Sequence, residues 1–268
     1  MEANMYDYHT HSIISDDGNT PMLQMAQAGI SIGLKEIAIT DHFDPDYPDP
    51  NWSSDLDFDR YQRELEETSF ACRNKIKVIK GIEIGIQHGD TLVKCQTASR
   101  SYAYDFVIGS FHCAEGIELS QGGFFDHRSV EESTTAFYRY VLATLKSYDD
   151  FDILGHINVI DRYGSYIPNY SCCNDIVTDI LKLLIEKGKG IEINTSSFRY
   201  GMGAHTTPTD EILALYRSLG GDIITIGSDA HSPKHVGYKL SWALEKMRQM
   251  GFRYLTTFDQ RVPKQLSI

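Results

Sequence analysis

The sequence predicts an α/β barrel built from seven strand–helix units, and three observations predict it. Short β-type segments alternate with helical ones along all 268 residues, a pattern that builds a closed or nearly closed barrel. Several strands are continuous apolar runs, among them Glu36-Ile37-Ala38-Ile39-Thr40, Phe106-Val107-Ile108 and Ile223-Ile224-Thr225-Ile226. Such runs suit parallel strands covered on both faces. Finally, no linker, internal repeat or low-complexity stretch divides the chain, so one domain over residues 1–268 is expected. A doubly wound open sheet is the structural alternative.

In chain order, strands are expected to end near His9, Thr40, Ile84, Gly109, Leu154, Ile193 and Ile226. Thr20-Pro21 offers a capping hydroxyl before a proline at the first helical position. Segment 57–74 has the mixed apolar and charged pattern of an amphipathic helix, as do 174–187 and 236–250. Ser129-Val130-Glu131-Glu132 has capping-box spacing and opens a helix to about Tyr148. Thr207-Pro208 repeats the first signal before a helix from Glu211 to Leu219, which Gly220-Gly221 stops.

Composition narrows the partners. Lys and Arg number 25 against 37 Asp and Glu, a net charge of −12, which opposes a nucleic-acid surface. An anionic ligand would have to be drawn in by local positive charge, from metals or a few arginines. The five cysteines are odd in number and form no CxxC pair, which fits a reducing cytoplasm better than a disulfide framework. Residues 1–8 lack the basic and apolar regions of an export signal, and no apolar run approaches a membrane span. A cytoplasmic protein without membrane contact is expected; oligomeric state is not legible.

The placement of the histidines is the informative feature. His9 and His11 follow the first strand two residues apart, and such residues of an extended chain point to one side. The second strand ends Thr40-Asp41-His42, the third contains Glu83, the fourth ends Ser110-Phe111-His112, the fifth Gly155-His156, and the last Ser228-Asp229-Ala230-His231. In an α/β barrel those ends share one face, where sites are built. Only Asn194 breaks the series. Imidazole and carboxylate groups recurring at one face predict divalent metal binding. His88, His127, His205 and His235 lack this placement and read as loop or surface residues.

The ordered series His9-x-His11, Asp41-His42, Glu83, Ser110-x-His112, Gly155-His156 and Ser228-Asp229-x-His231 resembles the polymerase and histidinol phosphatase (PHP) family, over residues 9 to 231. Segments 155–164 and 194–199, with Arg162 and Arg199, look closest to its histidinol-phosphate phosphatases. The resemblance implies a distorted seven-stranded (β/α) TIM-like barrel holding three metal ions, zinc, manganese or iron. Carried over by position, His9, His11, Glu83 and Asp229 would hold the first ion. Glu83, His112 and His156 would hold the second, with Glu83 as bridge, and Asp17, His42 and His231 the third. Asp17 stands where several relatives carry histidine, with Asp16 beside it as the competing ligand.

The implied activity is hydrolysis of L-histidinol phosphate to L-histidinol and phosphate, a step of histidine biosynthesis. Water bridging two cations would attack phosphorus, since one bound Zn²⁺ can lower the pKa of water to about 7. Arg162 and Arg199 would clamp phosphoryl oxygens with planar forks. Glu115 is a candidate contact for a cationic group of the substrate, and the segment from Cys113 to Arg128 a lid or pocket wall. Cys113 is discounted as a nucleophile. The sequence does not identify the general acid. Alternatives are another PHP-type phosphatase or phosphodiesterase acting on a different small phosphate ester, an amidohydrolase, and a metal-binding sensor without turnover.

Overall fold

The computed structural model describes residues 5–53, 55–202 and 205–268. Its parallel strands are β1 (Tyr6–Thr10), β2 (Glu36–Ile39), β3 (His42–Phe43), β4 (Lys77–Gly85), β5 (Phe106–Ser110), β8 (Ile153–Leu154), β9 (Gly190–Asn194) and β10 (Ile224–Gly227); the short pair β6 (Cys113–Ala114) and β7 (Ile117–Glu118) forms an antiparallel hairpin after β5. The main sheet runs β1-β2-β4-β5-β8-β9-β10, with β3 pairing to β4. Helices α1 (Met22–Ser31), α2 (Phe58–Cys72), α3 (Thr91–Arg100), α4 (Val130–Ser147), α5 (Asn174–Glu186), α6 (Asp210–Ser218) and α7 (Leu240–Gln249) lie between the strands. Seven strands nearly close into the expected TIM-like barrel. The open-sheet alternative fails because β1 and β10 meet: the Asp229 N–H donates to the His9 carbonyl at 2.8 Å, and the His11 N–H to the Ala230 carbonyl at 2.9 Å.

The capping box at Ser129 is formed in full, with Ser129 Oγ accepting from the Glu132 N–H and the Glu132 side chain accepting from the Ser129 N–H. Two other helix starts differ from expectation. The Thr20 hydroxyl donates to Asn19 Oδ1 at 2.8 Å, and α1 begins at Met22 without a side-chain cap. The Thr207 carbonyl is engaged by the Asn194 N–H at 2.8 Å in a β-bridge, so it cannot open a helix; Thr209 caps α6 instead. The last helix starts at Leu240 rather than 236, after Lys239 in the left-handed region. Helix α3 and an antiparallel hairpin of β11 (Tyr254–Asp259) and β12 (Val262–Ser267) are additions that the pattern reading did not supply.

The hairpin completes the lower barrel. Tyr8, Ala38, Ile79, Phe106, Ile108 and Ile153 form an inner apolar cluster, and Phe258 of β11 packs into it. The Phe258 N–H donates to the Tyr8 hydroxyl at 3.0 Å. Tyr8 and His9 both serve the interior because β1 carries a bulge: from Asp7 to Thr10 it spans three steps while β2 advances two, Ile37 to Ile39. The extra residue shifts the alternation by one. Tyr8 therefore fills the apolar layer, while His9 and His11 aim into the polar layer above it. Among the described residues no helix is long and apolar enough to cross a membrane.

Candidate metal centre

Glu83, on the long strand β4, sits at the middle of the polar layer and is fully buried. Its Oε2 lies 3.1 Å from Nε2 of His9, 3.4 Å from Nε2 of His11 and 3.1 Å from Nδ1 of His42. Its Oε1 lies 3.3 Å from Nε2 of His112 and 3.0 Å from Nε2 of His156, and accepts from the Ser110 hydroxyl at 2.5 Å. The two oxygens thus sort five imidazoles into two sets, an arrangement in which Glu83 could serve two ions, with His42 reaching Glu83 through Nδ1 and Asp17 through Nε2. Donors sharing one ion at bonds of about 2.0–2.2 Å stand roughly 3–3.6 Å apart, the spacing seen here.

Asp229 joins the first set, with Oδ1 3.5 Å from Nε2 of His11 and 3.9 Å from Nε2 of His9. It follows β10 at φ 54°, a left-handed conformation that aspartate tolerates better than most residues. A third group gathers at the rim: His231 Nε2 lies 2.9 Å and His42 Nε2 3.8 Å from Asp17 Oδ2, and the His11 ring stacks on both histidines. The neighbouring Asp16 turns away, accepting from the Ser53 N–H. Three-donor sets able to hold an ion are His9–His11–Glu83, His9–His156–Asp229, His42–Glu83–His112 and His11–His42–His231.

Tautomers are set from outside the cluster. His9 Nδ1 lies 2.7 Å from Glu192 Oε1, His112 Nδ1 2.7 Å from Asp44 Oδ1, His11 Nδ1 3.3 Å from Ser15 Oγ, and His231 Nδ1 3.1 Å from the Asp229 carbonyl. Each contact leaves Nε2 to face the centre, the usual arrangement around ligating histidines. The buried atoms His11 Nε2, His42 Nδ1 and Asp44 Oδ2 have no hydrogen-bond partner. Buried polar atoms are rarely left so, and a cation among them would satisfy the nitrogens. The residues present therefore fit divalent metal ions.

Electrostatics favour ligation at the carboxylates and at His11. Against burial, Glu192 and Glu83 hold the His9 imidazole, and Asp44 and Glu83 the His112 imidazole, well above the ordinary value, protons that a bound cation would displace. Burial opposes charge on Glu83, but the imidazoles of His9, His42 and His112 outweigh it and hold the carboxyl well below its usual range. Asp229 is likewise buried yet held well below by His9, His11 and His231. Burial and the neighbouring His231 and His42 keep the His11 imidazole well below its ordinary value. Ionised carboxylates and a neutral imidazole are the forms that ligate.

Above the cluster opens a cavity of about 180 Å³. Its lining includes His42, His112, His156, Asp229 and His231, together with Arg162, Tyr163 and Tyr200. Arg162 is held against the Tyr200 ring at 4.6 Å, donates to Ser196 Oγ at 2.7 Å, and stands 3.6 Å from Asp229 Oδ2. Its buried Nε has no partner. Arg199 does not line the cavity; it donates to the carbonyls of Ser228 and Asp229 at 2.9 and 2.7 Å, bracing the left-handed turn at Asp229.

Glu115 is not brought to the centre. It is exposed, paired with Arg128 at 2.8 Å and absent from the lining, because the β6–β7 turn carries it away. The segment from Cys113 to Arg128 reaches the cavity through Ser120 and is anchored by buried Phe124, as a wall rather than a free flap. Burial, with Asp44 nearby, pushes the Cys113 thiol far up, which suits an inert side chain. Of the histidines read as loop or surface residues, His205 lies in a loop, partly buried, with Nε2 2.8 Å from Asp161 Oδ2.

Pattern reading missed Glu192, Asp44 and Asp7. Glu192 interrupts the apolar run of β9, and that interruption was the available signal; it bonds His9 and accepts the His156 N–H at 3.0 Å. Gly227 makes room for this pair, since a Cβ there would stand 2.3 Å from both Glu192 Oε1 and His9 Cβ. Asp7 fastens β1 to the last strand by accepting the Ser228 N–H and hydroxyl and the Gly237 N–H. Asp41 is wholly engaged by Ser12 and Ser15 and faces no ring nitrogen of the cluster at bonding distance.

Comparison with known proteins gives four findings. The PHP domain family matches residues 7–196. A histidinol-phosphatase of Lactococcus lactis is 30% identical over 264 residues, 94% of each chain. Its kin by structure, the L. lactis histidinol phosphate phosphatase solved with zinc, L-histidinol and phosphate, superposes with a TM-score of 0.88 at 28% identity, covering 97% of this chain and 99% of the other. A structure from Listeria monocytogenes shares the fold at a TM-score of 0.77 and 17% identity, over 88% of this chain and 99% of its own.

Proposed function

This chain belongs to the PHP domain family, and from that premise we propose that it hydrolyses L-histidinol phosphate to L-histidinol and phosphate. The observation that carries the reading is Glu83 with five imidazoles around its two oxygens, beneath a cavity lined by Arg162. Relatives named for this activity match nearly the whole chain, one of them solved with zinc and both products. The enzyme is a phosphoric monoester hydrolase, and we take residues 1–268 as one functional domain.

Three divalent ions, zinc, manganese or iron, are assigned. His9, His11, Glu83 and Asp229 would hold one; Glu83, His112 and His156 a second; Asp17, His42 and His231 a third. Bound there, such ions supply an activated water and positive charge for phosphoryl oxygens. The protein's own groups do the rest. Glu192 and Asp44 fix the rings of His9 and His112. Arg162 binds the phosphoryl group from the wall, its charge offsetting the chain's net −12 where the anion enters. Arg199 keeps Asp229 in its turn, and would be the second arm of the clamp only by turning its remaining N–H donors into the cavity that it does not line. The groups are in place before the phosphoryl charge redistributes, which is the main catalytic contribution. A reducing cytoplasm, with a small ester as partner, completes the reading.

The test is phosphate release from L-histidinol phosphate by purified protein, with and without chelator, beside elemental analysis. Metal-dependent release supports the assignment; a fully metallated protein that releases none overturns it.

A further inference from the structure

One stretch of the cavity rim contributes only Asp44 to the assignments above. Residues 44–52, Asp-Pro-Asp-Tyr-Pro-Asp-Pro-Asn-Trp, hold three prolines and three aspartates. Proline fixes φ and reduces the freedom a loop must lose on folding. Asp44, Tyr47 and Trp52 of this loop line the cavity. The rings of Tyr47 and Trp52 lie 5.3 Å apart, and Trp52 meets the His42 ring edge-on at 5.7 Å.

The loop is tied down. The Tyr47 hydroxyl donates to Glu118 Oε2 at 3.4 Å, and Gln121 Nε2 donates to Asp49 Oδ2 at 3.1 Å. Glu118 in turn accepts the N–H groups of Ser120 and Gln121, at 2.8 Å each. In the same lining, Asp44 is buried, with Oδ1 2.7 Å from His112 Nδ1 and Oδ2 3.5 Å from His42 Nδ1. Its seat requires glycine at 85, where a Cβ would fall 1.8 Å from Asp44 Oδ1.

Two aromatic rings lining the cavity near the Glu118 and Asp44 carboxylates disfavour a phosphoryl group and suit a cationic or heteroaromatic one. Arg162 has the reverse character. We propose that Trp52 and Tyr47 receive the leaving alcohol of the ester and select for one bearing a cationic or heteroaromatic group. The inference rests on the phosphomonoesterase reading above and assigns the specificity of that same site.

Wild type, Trp52→Ala and Trp52→Phe, all with metal content measured, are assayed on L-histidinol phosphate and on glycerol phosphate. Trp52→Ala is expected to lower the ratio of the two kcat/KM values about tenfold, through KM for the histidinol ester, with Trp52→Phe restoring most of it. An unchanged ratio at full metal content overturns the proposal. Calorimetric titration of the metallated proteins with L-histidinol separates this failure from that of the function. If wild type hydrolyses neither ester, the activity reading falls, and the wall stands only if L-histidinol binds and Trp52→Ala weakens it about tenfold; equal or absent binding removes the wall as well.

Discussion

Nδ1 of His9 lies 2.7 Å from Oε1 of Glu192, and this contact turns Nε2 of His9 toward Glu83. A candidate metal ligand on β1 is thus oriented by a carboxylate on β9, two strands away around the β1–β10 closure, with both groups buried. The pair shows where the chemistry is most exposed to mutation.

Glu192→Gln keeps the shape but removes the charge that steadies the His9 ring. Loss of such a partner typically costs 10–100-fold in metal affinity or activity. Metal titration of the apoprotein and kcat/KM on a phosphate ester should both fall by about that factor; wild-type values for both would refute the role.

Asp17 and Asp16 are adjacent in sequence but face different partners, His231 and the Ser53 N–H. Asp17→Asn should lower the metal content per chain by about one ion, while Asp16→Asn retains the full complement. Elemental analysis after dialysis decides, and the opposite pattern would move the ligand to Asp16.

Arg162 lines the cavity with a free buried Nε, whereas Arg199 holds two backbone carbonyls. Arg162→Ala should reduce kcat/KM by about 10²–10³, the cost of deleting one preorganised donor to developing charge. It should also weaken competitive inhibition by inorganic phosphate, with metal content intact. Arg199→Ala should lower kcat/KM and, by releasing the Asp229 turn, also lower metal affinity. A phosphate inhibition constant untouched by Arg162→Ala would remove it from the clamp.

Phe258 plugs the apolar layer beneath the candidate metal ligands and is 3% exposed. Phe258→Ala should cost about 3–5 kcal/mol of stability, as large aromatic truncations in cores do. Denaturant unfolding of the apoprotein measures it; a loss under 1 kcal/mol would show that the hairpin merely covers the barrel end.

The ligand series was legible because each member ends or follows an apolar run, and parallel strands of a barrel present their ends on one face. Asp44 and Glu192 were not legible as orienting groups, since a carboxylate gives no local sign of which distant ring it will meet. Helix α3 was missed because its face toward the core is narrow, only Cys95, Ala98 and Ser99 being buried. Thr207-Pro208 was misread because a local capping signal lost to a bridge with Asn194.

By itself the amino-acid order determined the barrel, the family resemblance and which side chains could meet at one end, because periodicity and residue type are local properties. Only the tertiary structure decided the bulge that turns His9 and His11 inward above Tyr8, and the meeting of β1 and β10 through His9 and Asp229. It alone also placed Asp17 rather than Asp16 beside His231, and set Arg162 in the cavity wall while Arg199 holds the carbonyls of Ser228 and Asp229. Those outcomes depend on register and on contacts between residues far apart in the chain, which one-dimensional spacing does not encode.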